Sequence, residues 1–67
     1  MKFGKVLTEL KKEKGMTNVQ LAKIFKVGEA TIRGWQQNNR QPSYETLCQI
    51  ADFFGVTVGQ MLGVEEY

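Results

Sequence analysis

The chain has 67 residues, of which 42% are hydrophobic, so it forms at most one domain, near the smallest size that folds without disulfides or metals. Its single cysteine, Cys48, cannot form an internal disulfide and is typical of a cytoplasmic protein, and the hydrophobic runs are too short for a membrane span or a signal peptide. Residues 1–40 carry all nine basic side chains and three acidic ones, whereas residues 41–67 carry four acidic side chains and no basic one.

This segregated charge has two interpretations. A basic half beside an acidic half can orient a molecule on a polyanion. The alternative is a surface that only keeps the chain soluble. The charge alone does not decide between them.

Local signals mark where helices begin and end. Two capping boxes, each a threonine followed three residues later by a glutamine, predict helix starts at Thr17 and Thr57. Ser43, after Pro42, is a good N-cap for another helix. Left-handed residues that end helices are predicted at Gly15, Gly55 and Gly63. The predicted helices lie near residues 3–14, 17–25, 28–37, 43–54 and 57–62, and no segment has the period-two pattern of a strand.

Helical spacing assigns the hydrophobic residues to one core. The predicted core residues are Phe3, Leu7, Leu10, Leu21, Ala22, Phe25, Ile32, Trp35, Leu47, Ile50, Ala51, Phe54, Met61 and Leu62. Cys48 lies on the flank of the fourth stripe and is predicted to pack there rather than to do redox chemistry. Lys11, Lys12 and Lys14 are predicted to form a solvated face at the end of the first helix. Without repeats or linkers, residues 1–67 are predicted to form a single all-α domain, a compact five-helix bundle.

The third predicted helix has a chemically distinctive outer face. It follows the second helix after about three residues, and so short a joint makes two helices cross steeply, as in a helix-turn-helix. When Ile32 and Trp35 point inward, the outward residues are Glu29, Ala30, Arg33, Gly34 and Gln37. Arginine can bind guanine, glutamine can pair with adenine, and glutamate can accept from cytosine. A major-groove reader needs such a face, although an ordinary solvated helix face has the same pattern.

The spacing of the whole stretch favours the first interpretation. Its matching positions are Leu21-Ala22, Val27, Thr31-Ile32, Trp35, Arg40-Gln41-Pro42, Leu47, Ile50-Ala51 and Gly55-Val56. In this register the chain, from about Leu7 to Leu62, resembles the lambda-repressor-like (Cro/CI, or XRE) helix-turn-helix family. The resemblance implies a five-helix bundle that binds double-stranded operator DNA, with the third helix in the major groove. It also implies a homodimer, usually a repressor of transcription.

Site residues follow from the resemblance together with the outer face of the third helix. The predicted base contacts are Glu29, Ala30, Arg33 and Gln37. The predicted phosphate contacts are Thr17, Asn18, Lys26, Thr31, Asn39 and Arg40. The chain departs from the family pattern at Asn18, usually glutamine, at Lys26, usually the turn glycine, at Gln36, commonly glutamate, and at Asn38, commonly glycine. A left-handed lysine at position 26 would cost about 1 kcal/mol.

Other classes of function have less support. The chain has no histidine, no cysteine cluster and no phosphate-cradling glycine loop, so we predict no enzyme, metal, cofactor or small-molecule substrate. The rival is a helix-turn-helix module whose exposed face docks a protein. Glu29 favours it, as do Val19 and Ile24, which stand where the family is usually polar. For a homodimer, the predicted contact lies around Val56 and Val58.

Overall fold

Five α-helices make up the described part of the chain. The computed structural model describes residues 2–37 and 40–65. The helices are α1 (Phe3–Glu13), α2 (Asn18–Phe25), α3 (Glu29–Gln37), α4 (Tyr44–Phe54) and α5 (Val58–Met61). Each bound lies within one residue of its prediction, and the described ranges hold no strand, which confirms the all-α fold. None of the described helices is both long enough and hydrophobic enough to cross a bilayer.

The predicted caps form as local hydrogen bonds. The Thr17 hydroxyl accepts from the Gln20 backbone N–H at 3.2 Å, and the Gln20 side chain accepts from the Thr17 N–H at 2.9 Å. The second box, at Thr57 and Gln60, closes with distances of 3.0 and 2.8 Å. Ser43 Oγ accepts from the Thr46 N–H at 3.3 Å. The glycines predicted to be left-handed have φ of 66°, 70° and 76° at Gly15, Gly55 and Gly63.

The core follows the predicted stripes with three exceptions. Twelve of the predicted residues are buried, from Phe3 on α1 to Met61 on α5. Phe25 and Leu62 are only partly buried and pack on the rim of this core. Val6, which the prediction left out, is buried with 8% of its surface exposed. The α1 stripe is therefore wider than a strict three-and-four spacing, because α1 contacts both α3 and α5.

The start of α1 lies directly on the end of α3. A Cβ atom at Gly4 would overlap the Trp35 carbonyl oxygen and would lie 2.9 Å from Gln36 Cα. The neighbouring Phe3 ring meets the Trp35 indole edge-on, with centroids 5.9 Å apart. Only a residue without a side chain allows this approach, so Gly4 sets how closely α1 supports the last turn of α3.

The two ends of the described chain also meet. The Lys2 N–H donates to the Leu62 carbonyl at 3.2 Å, and a Cβ atom at Gly63 would lie only 2.7 Å from Lys2 Cβ. After α5 the chain turns back, because the Val64 and Glu65 N–H groups both donate to the Gly59 carbonyl. The first and last described residues thus share one side of the bundle, formed by α1 and α5.

Candidate nucleic-acid interface

The joint between α2 and α3 is a tight turn built on a left-handed lysine. Lys26 has φ of 57° and ψ of 44°, and it is the non-glycine residue with positive φ in the described chain. The Val27 N–H donates to the Ala22 carbonyl at 3.0 Å, which closes the end of α2. The Gly28 carbonyl accepts from the N–H groups of Thr31 and Ile32 and so begins α3. The predicted turn is confirmed, and Lys26 takes the strained conformation that glycine would adopt without cost.

Helix α3 has one buried side and one exposed side. Ile32 is fully buried and Trp35 is 5% exposed, so both anchor the helix in the core. The side chains predicted to contact base edges are all exposed, and they are Glu29, Ala30, Arg33 and Gln37. Thr31, predicted to contact phosphate, is exposed as well.

Gly34 lies on the outer side of α3, as predicted, but it is only partly exposed. A Cβ atom at this position would lie 3.7 Å from Cδ of Arg40. The Arg40 side chain therefore runs past Gly34 and partly covers it. This brings Arg40, which follows α3 in the chain, to the exposed side of that helix.

Glu29 and Arg33 form an ion pair one helical turn apart. Arg33 Nη1 lies 2.9 Å from Glu29 Oε1, and the two side chains are 49% and 46% exposed, respectively. An exposed pair of this kind contributes little to folding. It does mean that the acidic group at the leading end of α3 is not an isolated charge, since its carboxylate accepts from the arginine predicted to contact guanine.

A second polar cluster ties α1, α2 and α3 together at the start of α2. The side-chain amides of Asn18 and Gln36 exchange two hydrogen bonds, of 3.1 and 3.2 Å. Lys11 Nζ also donates to Asn18 Oδ1 at 2.9 Å. The predicted solvated lysine face is therefore wrong for Lys11, which is partly buried against this amide. Lys12 and Lys14 are exposed as predicted.

This cluster leaves α2 able to bind an anion. The Asn18 oxygen is fully engaged, but one hydrogen of its NH₂ group has no partner among these bonds. The first N–H groups of a helix have no acceptor within it, and Thr17 satisfies only that of Gln20. The N–H groups of Asn18 and Val19 are thus left without an acceptor in the helix, and the Lys11 ammonium is held nearby by the Asn18 side chain, an arrangement that favours a phosphate.

These features form a helix-turn-helix: α2, whose first N–H groups are unpaired, is joined by the tight turn at Lys26 to α3, which is anchored in the core. A protein family described as helix-turn-helix matches residues 7–61, which is most of the chain. The chain belongs to this helix-turn-helix family. The resemblance to the Cro/CI type is thereby confirmed. The prediction of DNA-binding transcriptional regulation agrees with the names of relatives of this chain.

Helix-turn-helix proteins similar to this chain carry names of transcriptional regulators. The HTH-type transcriptional activator BcrR of Enterococcus faecalis is 35% identical over 66 residues, which is 98% of this chain and 32% of BcrR. The HTH-type transcriptional regulator AnsR of Bacillus subtilis is 35% identical over 60 residues, which is 90% of this chain and 52% of AnsR. The HTH-type transcriptional regulator ImmR of Bacillus subtilis is 26% identical over 66 residues, which is 98% of this chain and 52% of ImmR.

The chain thus spans from about a third to about half the length of these relatives. No solved structure matches it significantly.

Within the helix-turn-helix, the structure brings most of the predicted site residues to two places. The predicted base contacts and Thr31 lie on the exposed side of α3, while Thr17 and Asn18 lie at the start of α2. Asn39 lies outside the described residues. Lys11 and Gln36 were missed by the sequence prediction. The available signal was that Gln36 is four residues after Ile32, which places it at the edge of the buried side of α3.

Proposed function

We propose that this chain is a DNA-binding domain that places α3 in the major groove of an operator and regulates transcription from it. The observation that carries the proposal is the two-sided α3, with Ile32 and Trp35 buried and a polar outer face exposed beside the open start of α2. A helix whose inner side is packed in the core can insert its outer side into the major groove while the fold stays unchanged.

The outer residues then divide into two roles. Base edges are contacted by Glu29, Ala30, Arg33 and Gln37. Phosphates are contacted by Thr17, Asn18, Lys26, Thr31, Asn39 and Arg40. This division is supported by chemistry, because an arginine in the middle of the face presents a fork that fits the two acceptors of guanine. The α2 residues offer N–H groups, which suit phosphate oxygens.

A homodimer and repression are further parts of this proposal. One short helix contacts few base pairs, so two half-sites about one helical turn apart are expected. Val56 and Val58 are partly buried at the turn into α5 and at its start, and the dimer contact would bury them further. A DNA-bound domain can repress by occupying a promoter, whereas activation requires a second surface that contacts the transcription machinery. Acting on DNA, the domain would work in the cytoplasm and would not be an enzyme.

Selection from a randomised duplex library tests the proposal, because it reports the motif, its symmetry and the half-site spacing together. We expect a two-fold symmetric motif that is bound with an affinity falling steeply as salt is added. The rival function is protein docking through the same exposed face and through Val19 and Ile24, which are 47% and 43% exposed. Absence of salt-dependent duplex binding would overturn the DNA proposal in favour of this rival.

A further inference from the structure

The ion pair between Glu29 and Arg33 determines the charge of α3, the helix proposed to enter the major groove. These are the two ionisable side chains of α3, so the helix has no net charge of its own. The positive groups near it lie on other segments, such as Lys26 in the turn and Arg40 after the helix. The arginine best placed to enter the groove is thus the one held by a carboxylate.

The Glu29 carboxylate is the charged partner of Arg33 on α3. Of the other residues three or four positions from Arg33 on this helix, Ala30 has no polar group, and Gln36 and Gln37 carry neutral amides. The bond to Glu29 uses Nη1 of the guanidinium, at 2.9 Å. A guanidinium has five N–H donors, so the remaining ones stay available to a second acceptor.

We propose that Glu29 is a specificity-determining residue that makes Arg33 discriminate between a guanine edge and a phosphate. This inference rests on the proposed function. Guanine is neutral and presents two acceptors, so it can share Arg33 with Glu29 and leave the ion pair intact. A phosphate that approaches Arg33 is repelled by the Glu29 carboxylate. Glu29 therefore lowers affinity for unrelated sequences more than affinity for the operator, which is specificity obtained through a repulsive element.

The expected size of the effect follows from counterion release. Each phosphate contact changes the slope of log affinity against log salt concentration by about 0.9. Relative to about 1 M salt, where such contacts contribute little, this slope corresponds to roughly an 8-fold change in affinity at about 0.1 M salt. Freeing Arg33 to bind a phosphate should produce a gain of this size on unrelated DNA. Folding should hardly change, since an exposed pair one turn apart is weak in water.

The test compares Glu29→Gln with Glu9→Gln, which removes the same charge from an exposed position on α1. Affinity is measured for the selected operator and for a scrambled duplex, across a salt series. Glu29→Gln should bind the scrambled duplex about 8-fold more tightly than wild type, with a salt slope steeper by about 0.9, and should gain less on the operator. The same substitution in an Arg33→Ala background should change neither duplex more than Glu9→Gln does.

Two results would overturn the inference while the proposed function stands. The first is wild-type operator binding together with a Glu29→Gln effect no larger than that of Glu9→Gln. The second is a Glu29→Gln gain that persists in the Arg33→Ala background, because the carboxylate would then act by simple repulsion of DNA. Wild-type protein that binds neither duplex would instead overturn the proposed function, and this inference with it.

Discussion

The indole of Trp35 packs edge-on against the ring of Phe3, with centroids 5.9 Å apart and planes inclined by 65°. This contact joins the first turn of α1 to the last turn of α3, so the residue that anchors α3 in the core also anchors the start of α1. Aromatic pairs in this geometry are more stable than their buried area alone predicts.

Replacing Trp35 with alanine should therefore unfold much of the population. The expected cost is about 3–5 kcal/mol, which is comparable to the whole stability of a small domain. Thermal melts followed by far-UV circular dichroism measure it. Tyr44→Ala, at a position 74% exposed, is the control and should shift the midpoint little. A Trp35→Ala protein that melts near the wild-type midpoint would show that the core is assigned wrongly.

Two glycine-to-alanine substitutions should have opposite signs. Gly4→Ala places a methyl group against the backbone of Trp35 and Gln36, which cannot move aside cheaply, so it should destabilise by about 1–3 kcal/mol. Gly34→Ala meets only the flexible Arg40 side chain at 3.7 Å. It should stabilise by about 0.5–1 kcal/mol, because alanine is the better helix former. Urea titration of both variants measures the change in the free energy of unfolding. A Gly4→Ala protein as stable as wild type would refute the close approach of α1 to α3.

Lys26→Gly should separate stability from affinity. Removing the side chain from a left-handed position should stabilise the fold by about 1 kcal/mol. Removing the ammonium should at the same time weaken DNA binding and reduce the salt slope by about 1. Lys23→Gly is the matched control, since it makes the same change at an exposed position inside α2, where glycine should destabilise by about 1 kcal/mol. The prediction fails if both variants lose stability.

Arg33 and Arg40 should separate base recognition from phosphate binding. Arg33→Ala should cost about 1–3 kcal/mol on the selected operator and relax the preference at one base pair. Arg40→Ala should weaken all sequences about equally and lower the salt slope by about 1. Binding is measured on the operator and on a scrambled duplex, over a range of salt concentrations.

The reverse pattern would exchange these two roles. Arg40→Ala would then relax the preference at a base pair, and this outcome is an alternative because the Arg40 side chain lies beside Gly34 on the outer side of α3. If neither substitution affects affinity for duplex DNA, then α3 does not enter the groove.

The features that sequence predicted well are those in which the interacting residues are close along the chain. The capping boxes at Thr17 and Thr57 bond to residues three positions away, and their side-chain chemistry is sufficient to place each helix start. The spacing of Ile32 and Trp35 likewise fixed the two sides of α3.

What sequence missed depends on how the helices meet. The bonds between Asn18 and Gln36 join residues 18 positions apart, so nothing local indicates them. Gly4 resembles any glycine in the first turn of a helix until the backbone of α3 is placed against it. Phe25 was assigned to the core by its spacing alone, whereas its ring lies at the rim and packs edge-on against Phe53.

Because Lys2 is hydrogen-bonded to Leu62, the order of the helices along the chain could be changed while their positions in the bundle stay the same. A short linker from the turn after α5 back to Lys2 would close the backbone into a ring without stretching it. New ends could then be opened at the exposed turn of Gly55, where an added Cβ would meet nothing within 4 Å. Such a circular permutant would begin with α5 and end with α4, and it would keep α1, α2 and α3 contiguous.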